Sequence, residues 1–149
     1  MIKNICITFV SILFINIASA KQIKITSDKL EIIRTENTSI FSGKVYALED
    51  NLEIWSEKLV VTSDEDEVKS INAHGNVKIL REGLSIDGNE ARYDPNTNKL
   101  VVIGGVEVTQ NENIILCDKI VVDLENSSSI MSSDPTKRVE ALIISENRE

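Results

Sequence analysis

Ile71-Asn72-Ala73-His74-Gly75-Asn76-Val77-Lys78-Ile79 is the stretch whose reading decides the fold. Its odd positions are apolar or Gly, and its even positions are polar. That period of two puts one face on a core and the other in water, as in a half-buried strand. A glycine in the middle of a strand marks a bulge, a bend or a close approach. The phrase recurs as Phe41-Ser42-Gly43-Lys44-Val45-Tyr46-Ala47 and as Val102-Ile103-Gly104-Gly105-Val106-Glu107-Val108. Gly43, Gly75 and Gly104 are separated by 32 and 29 residues, so the chain is an internal repeat built around this strand.

A second phrase precedes each glycine strand and occurs four times: Ile25-Thr26-Ser27-Asp28-Lys29-Leu30, Ile54-Trp55-Ser56-Glu57-Lys58-Leu59, Ile86-Asp87-Gly88-Asn89-Glu90-Ala91 and Ile115-Leu116-Cys117-Asp118-Lys119-Ile120. Its third slot is always small. The parity of the apolar residues changes inside it. Leu52 and Ile54 are even, then Leu59 and Val61 are odd; Leu84 and Ile86 are even, then Ala91 and Tyr93 are odd. A regular strand cannot change parity and keep one face buried, but a bulge can supply the extra residue and bend the strand. We therefore expect a bulge at each small residue, with the strand turning a corner there. Strands that cross between sheets at bulges belong to sandwiches and rolls.

Turns separate the strands. Glu36-Asn37-Thr38, Ser63-Asp64-Glu65-Asp66, Asp94-Pro95-Asn96-Thr97-Asn98 and Glu125-Asn126-Ser127-Ser128 fall at equivalent points of the repeats, with the residues that hairpin loops favour. Glu49-Asp50-Asn51, Arg81-Glu82-Gly83 and Gln110-Asn111-Glu112-Asn113 divide one repeat from the next. With no competing helical periodicity in residues 21–149, the pattern predicts an all-β domain of four repeats, each of about four short antiparallel strands.

Composition agrees. The hydrophobic 42% is mostly Ile, Val and Leu, aromatics are 4%, and 149 residues suit one domain. The net charge of −8 argues against a nucleic-acid partner. Met1 to Ala20 reads as an export signal, with Lys3, an apolar run from Ile5 to Ile17 and the A-x-A ending Ala18-Ser19-Ala20. That run is short for a membrane span. Residues 1–20 are thus expected to be cleaved, leaving residues 21–149 with a charge of −9. Cys6 departs with the signal. Cys117 then has no intrachain partner, and its expected role is to fill a tight slot. The acidic run Asp64-Glu65-Asp66-Glu67 lacks the spaced oxygens and turn glycine of a calcium loop, so a solvated hairpin tip is expected. His74, the single histidine, alternates with Ala73 and Gly75 and should lie on the outer surface. No nucleophile elbow, metal cluster or Ser-His-Asp set surrounds it, so neither an enzyme nor a cofactor is expected.

The repeats resemble the OstA-like domain family of lipopolysaccharide transport proteins. Residues 22–28 (Gln22-Ile23-Lys24-Ile25-Thr26-Ser27-Asp28), Phe41 to Val45, Ala73 to Val77, Ala91-Arg92-Tyr93-Asp94 and Thr136 to Ile143 carry the resemblance. It implies an open, twisted β-jellyroll over residues 21–149. It further implies a periplasmic protein that binds lipopolysaccharide and forms part of a bridge carrying it from the inner to the outer membrane. Lipid acyl chains would then lie in an interior groove, for which the alternation nominates Ile23, Ile25, Phe41, Val45, Ile54, Val77, Ile79, Ile86, Val106 and Val108. By the resemblance, Ile23 and Ile79 are the nearest lipid contacts. The edge strands carrying Ile23 and Ile25 at one end, and Val139, Ala141 and Ile143 at the other, would be partner interfaces. The resemblance assigns the first edge to an LptC-like inner-membrane protein or a previous copy. It assigns the second to an LptD-like outer-membrane protein or a next copy, in head-to-tail self-association. Two other readings compete: a structural β-repeat scaffold with a packed core and no lipid, and an anchored, LptC-like subunit of the same pathway.

Overall fold

The computed structural model describes residues 21–145; the export segment with its cleavage site and Cys6 lies outside the described residues. The strands are β1 (Ile23–Thr26), β2 (Lys29–Ile33), β3 (Thr38–Glu49), β4 (Leu52–Asp64), β5 (Glu67–Arg81), β6 (Leu84–Asp94), β7 (Lys99–Gln110), β8 (Asn113–Asp123), β9 (Ser128–Ser132) and β10 (Glu140–Leu142). A 3-10 turn, Arg34–Glu36, joins β2 to β3. Among the described residues no helix is long and apolar enough to cross a membrane.

Each long strand pairs antiparallel with the next in sequence, from β3 to β8. The two outer positions are split. β1 covers Tyr46 to Glu49 of β3, and β2 covers Thr38 to Ser42 of the same strand. At the far side, β9 covers Lys119 to Asp123 of β8, and β10 covers Ile114 to Leu116. The long strands thus run through two half-sheets. One is bounded by β2 and β9, the other by β1 and β10. Their inward faces share one core, in which Leu59, Val102 and Ile120 from the first half-sheet and Val45, Ile79 and Ile86 from the second are almost wholly buried.

The corner between the half-sheets is where the ladders shift register. Gly43 and Lys44 stand against Glu57 alone, between the pairs Ser42–Lys58 and Val45–Ser56. Gly75 and Asn76 stand against Asn89, and Gly104 and Gly105 against Asp118. In all three places both residues of the pair have positive φ, between 46° and 87°. The corner falls where the parity change places it, but the extra residue does not sit at the small residue as expected. It sits on the neighbouring glycine strand. The reason is conformational. A left-handed backbone costs an ordinary residue roughly 1–2 kcal/mol, so the bulge sits where glycine leads it. The small third slot has a different cause, lack of room. A Cβ on Gly88 would lie 2.5 Å from Val102 Cγ1. Ser56 and Cys117 are buried at the same point of their repeats, and burial pushes the Cys117 thiol above its ordinary pKa.

Two further differences follow from this geometry. The expected four short strands per repeat are instead halves of long, bent strands, because the bulge turns the ladder without ending it. The fourth repeat has no glycine strand. Residues 133–139 pass around its corner as a loop, fastened where Asp134 N–H donates to Asp118 Oδ2 at 2.8 Å and Lys137 Nζ to Asp118 Oδ1 at 3.4 Å. The backbone donor of Asp134, with Lys137 beside it, holds the Asp118 carboxyl below the usual carboxylate range.

The hairpin tips use left-handed residues as well. Glu65 and Asp66, both with positive φ, close the β4–β5 hairpin, so the acidic run forms an exposed tip. His74 is half-exposed on the outer face, its Nδ1 3.6 Å from Glu90 Oε1.

Two glycines of equal φ test how tightly the corner is packed. Gly83 (φ 81°) has open space around it, whereas a Cβ on Gly75 (φ 81°) would run into the Glu57 side chain. Gly83→Ala should lower stability in urea unfolding by about 1–2 kcal/mol from backbone strain alone. Gly75→Ala adds the overlap and should cost about 2–4 kcal/mol. Equal losses for the two variants would show that the corner is not sterically closed.

Candidate functional site

Seven of the ten nominated groove residues are buried from solvent. Val45, Ile54, Val77, Ile79, Ile86, Val106 and Val108 are at most 4% exposed. Ile23, Ile25 and Phe41 are half-buried against the same core. The packed middle of the interior is therefore closed.

A cavity of about 260 Å³ opens beside the last strands. Its walls include Leu84 of β6, Val108 of β7, Ile115 of β8 and Val122 and Leu124 at the opposite tip, with Met131 of β9. Ile143 borders it just past β10. Only Val108 belongs to the nominated ten. The space exists because the covering strands there are short: β9 has five residues, β10 three, and small serines at 127–129 complete the wall. Leu84 and Ile115 carry the same alternating signal as the nominated positions, so they were within reach of the sequence. Their difference from the packed positions depends on which neighbours end early.

The tips of the two half-sheets meet across a polar seam. Arg81, at the end of β5, donates from Nη1 to the Leu124 carbonyl at 2.9 Å and from Nε to Asn51 Oδ1 at 3.4 Å. Lys21 Nζ donates to the Pro95 carbonyl at 3.1 Å and Asn98 Oδ1 at 2.9 Å. It also stands 3.6 Å from Glu49 Oε1. Glu49 is 6% exposed, and neither of its oxygens has a hydrogen-bond partner within the protein. A carboxylate so placed is tolerated because Lys21 is near and because a polar cavity of about 380 Å³ lies alongside, with room for solvent. Burial first, and the neighbouring Glu49 second, raise the Tyr93 hydroxyl well above its ordinary pKa.

The two edges of the sheet are apolar and open. Leu30 and Ile32 of β2 are at least half exposed. At the other end Ile130 of β9 and Leu142, Ile143 and Ile144 in and after β10 are likewise exposed. Ile23 and Ile25 lie on β1 and turn half inward; Val139 and Ala141 are exposed, with Ala141 paired to Ile115.

The seam makes a prediction about alkaline stability. A folded-state pKa raised above the unfolded value adds stability that is complete below the unfolded value and is lost as pH rises past it. Stability should therefore fall as pH climbs above the ordinary tyrosine value of 10.0. Tyr93→Phe should flatten that fall in urea titrations across this range, more than Tyr46→Phe, whose hydroxyl is raised chiefly by its hydrogen bond to Glu53. An unchanged slope in Tyr93→Phe would remove Tyr93 from the seam's energetics.

Comparison with known proteins agrees with this geometry. No curated protein matches the sequence. The crystal structure of LptH, described as the LptA-homologous periplasmic component of the conserved lipopolysaccharide transport device of Pseudomonas aeruginosa, superposes with a TM-score of 0.76. The superposition covers 84% of this chain and 96% of that one at 16% sequence identity, which is a likeness of fold. The family model described as LptA/(LptD N-terminal domain) LPS transport protein matches residues 24–128. With most of its length matched, from β1 to the start of β9, the chain belongs to the LptA/LptD N-terminal domain family of lipopolysaccharide transport proteins.

Proposed function

We propose that residues 21–149 work in the periplasm as one link of a bridge that carries lipopolysaccharide between the two membranes. The lipid's acyl chains would enter the interior between the half-sheets. The observation that carries this reading is the apolar cavity that opens beside exposed apolar edge strands at the C-terminal end. A closed cavity could hold a small molecule; one that reaches the edge can hand a chain to the next module. Export of the chain and cleavage after Ala20 are part of the same proposal, as are an LptC-like partner at the β1–β2 edge and an LptD-like partner or another copy at the β9–β10 edge. The ten interior positions divide within it. Val108 meets lipid at rest, Ile23, Ile25 and Phe41 meet it at the entry end, and the other six meet it only when the core parts. No step in this function requires catalysis.

Photo-cross-linking residues test the groove. Placed at Ile23, Val108 or Met131, they should capture lipopolysaccharide; placed at Glu65 on the acidic tip, they should not. Capture at Ile79 should appear only if passing lipid separates the packed centre. Equal labelling at Glu65 and Val108 would sink the groove, and lipid-free protein after purification and loading would favour the scaffold reading.

The C-terminal edge makes a second prediction. Successive residues of an edge strand direct their backbone groups alternately toward and away from the neighbouring strand. The Ile144 N–H donates toward β8, to Asn113 Oδ1 at 2.9 Å. Leu142 and Glu140 therefore face β8, and Ala141 and Ile143 face outward. Proline deletes a donor. Ala141→Pro should abolish end-to-end growth in concentration-dependent light scattering while leaving circular dichroism unchanged. Wild type that stays monomeric at every concentration and binds no partner through either end would defeat the bridge model.

A further inference from the structure

Among the described residues, the apolar cavity has one cation in its wall, Arg81. The rest of its polar rim is neutral, with Gln110, Asn113 and Ser127 to Ser129, except for Glu82. That acid is already engaged, because Asn51 Nδ2 donates to Glu82 Oε1 at 2.6 Å. The same Asn51 accepts from Arg81 Nε at 3.4 Å. Asn51 thus stands between the two charges as a spacer. Among the described residues no carboxylate comes within 4.0 Å of the Arg81 guanidinium. The other cation of the seam, Lys21, is taken up by Glu49, Asn98 and the Pro95 carbonyl.

A guanidinium has five N–H donors, and the two protein contacts of Arg81 leave the others available. They lie at the boundary of an apolar cavity of about 260 Å³ and the polar cavity beside it, since Arg81 lines both. An uncompensated cation at such a boundary suits an amphiphile with an anionic head. Guanidinium groups pair best with planar or tetrahedral oxyanions through two parallel hydrogen bonds. We propose that Arg81 is the subsite for a phosphate group of an acylated, phosphorylated glycolipid. One acyl chain then lies against Leu84, Val108 and Ile115, and sugar hydroxyls meet Gln110, Asn113 and the serines. This rests on the groove reading above and adds the place and chemistry of head-group recognition. It also accounts for how an acidic protein holds an anionic lipid, through one local cation and not the overall field.

The test uses the mature chain and two probes, hexa-acylated lipid A with both phosphates and the same lipid after enzymatic dephosphorylation. Binding is read by displacement of a fluorescent acyl probe. Arg81→Gln should weaken the phosphorylated lipid about tenfold and leave the dephosphorylated lipid unchanged. Arg81→Lys should recover part of the loss, because charge survives while the paired geometry does not. Asn51→Ala, which removes the spacer and lets Glu82 reach the guanidinium, should weaken only the phosphorylated lipid although Arg81 is still present. Equal weakening of both lipids by Arg81→Gln would mean that Arg81 acts only through the Leu124 carbonyl, and would overturn the proposal. So would no weakening of either. Wild type that binds neither lipid would overturn the groove reading itself, and the subsite with it.

Discussion

Everything in this molecule hangs on a pair of left-handed residues inserted into each glycine strand. The antiparallel ladder must turn a corner without losing its hydrogen bonds. Two residues of positive φ set against one partner achieve that. Each corner is also wedged from the side. The α-carbons of Gly43, Gly75 and Gly104 sit against the side chains of Asp28, Glu57 and Asn89, the fourth residue of the preceding phrase. The phrase and the glycine strand are therefore two halves of one joint. Because the long strands pass through the joint, the half-sheets are covalently tied at the corner and held only by side chains at their tips. Any opening of the interior must happen on the tip side, where Lys21, Glu49, Tyr93 and Arg81 cross the seam.

Much of this was legible in the residues. The repeat, the corner and the inward face all follow from parity, as Ile54 and Leu59 illustrate: both are buried although one is even and the other odd. The position of the extra residue was not, because parity counts residues along one strand, while a bulge is defined by the partner opposite. The cavity was not legible either. Val106 and Ile115 read alike in the sequence, yet Val106 is covered on all sides, whereas Ile115 lies beneath a three-residue edge strand. The seam was hidden for a third reason. Arg81 and Leu124 are 43 residues apart and belong to no shared motif.

The two edges show how an open sheet is kept from becoming a liability. A long, flat, apolar edge would template aggregation. Here each edge is broken in two, β1 from β2 at Ser27 and Asp28, and β9 from β10 by the loop at 133–139. The halves lie at an angle, so only a partner with a similarly bent first strand can follow both. In the bridge proposed above, exposed Leu30 and Ile32 at one end and Ile130 and Leu142 at the other would become selective contacts. A non-closing, head-to-tail contact of this kind, if the chain makes one as proposed, would build filaments and not two-fold dimers.

The net charge of −8 poses the sharpest objection to an anionic cargo, and magnitudes resolve it. Most of the acidic residues are solvated on the outer face and at hairpin tips, such as Glu65 and Asp66. Across water at physiological salt, such charges are screened within about 8 Å. Even at 4 Å a fully hydrated pair is worth only about 1 kcal/mol. Burying a single methylene contributes about 0.8 kcal/mol, so an acyl chain with about ten of them buried gains about 8 kcal/mol. The apolar term therefore outweighs the diffuse repulsion several times over. Only charges within the cavity wall remain to discriminate among lipids. Glu82 keeps its charge, but its Oε1 is held by Asn51 Nδ2, so in the subsite proposed above it is Arg81 that would meet the head group. Affinity then comes from the chains and selectivity from the rim, which is the division a carrier needs if it must hold its cargo and still pass it on.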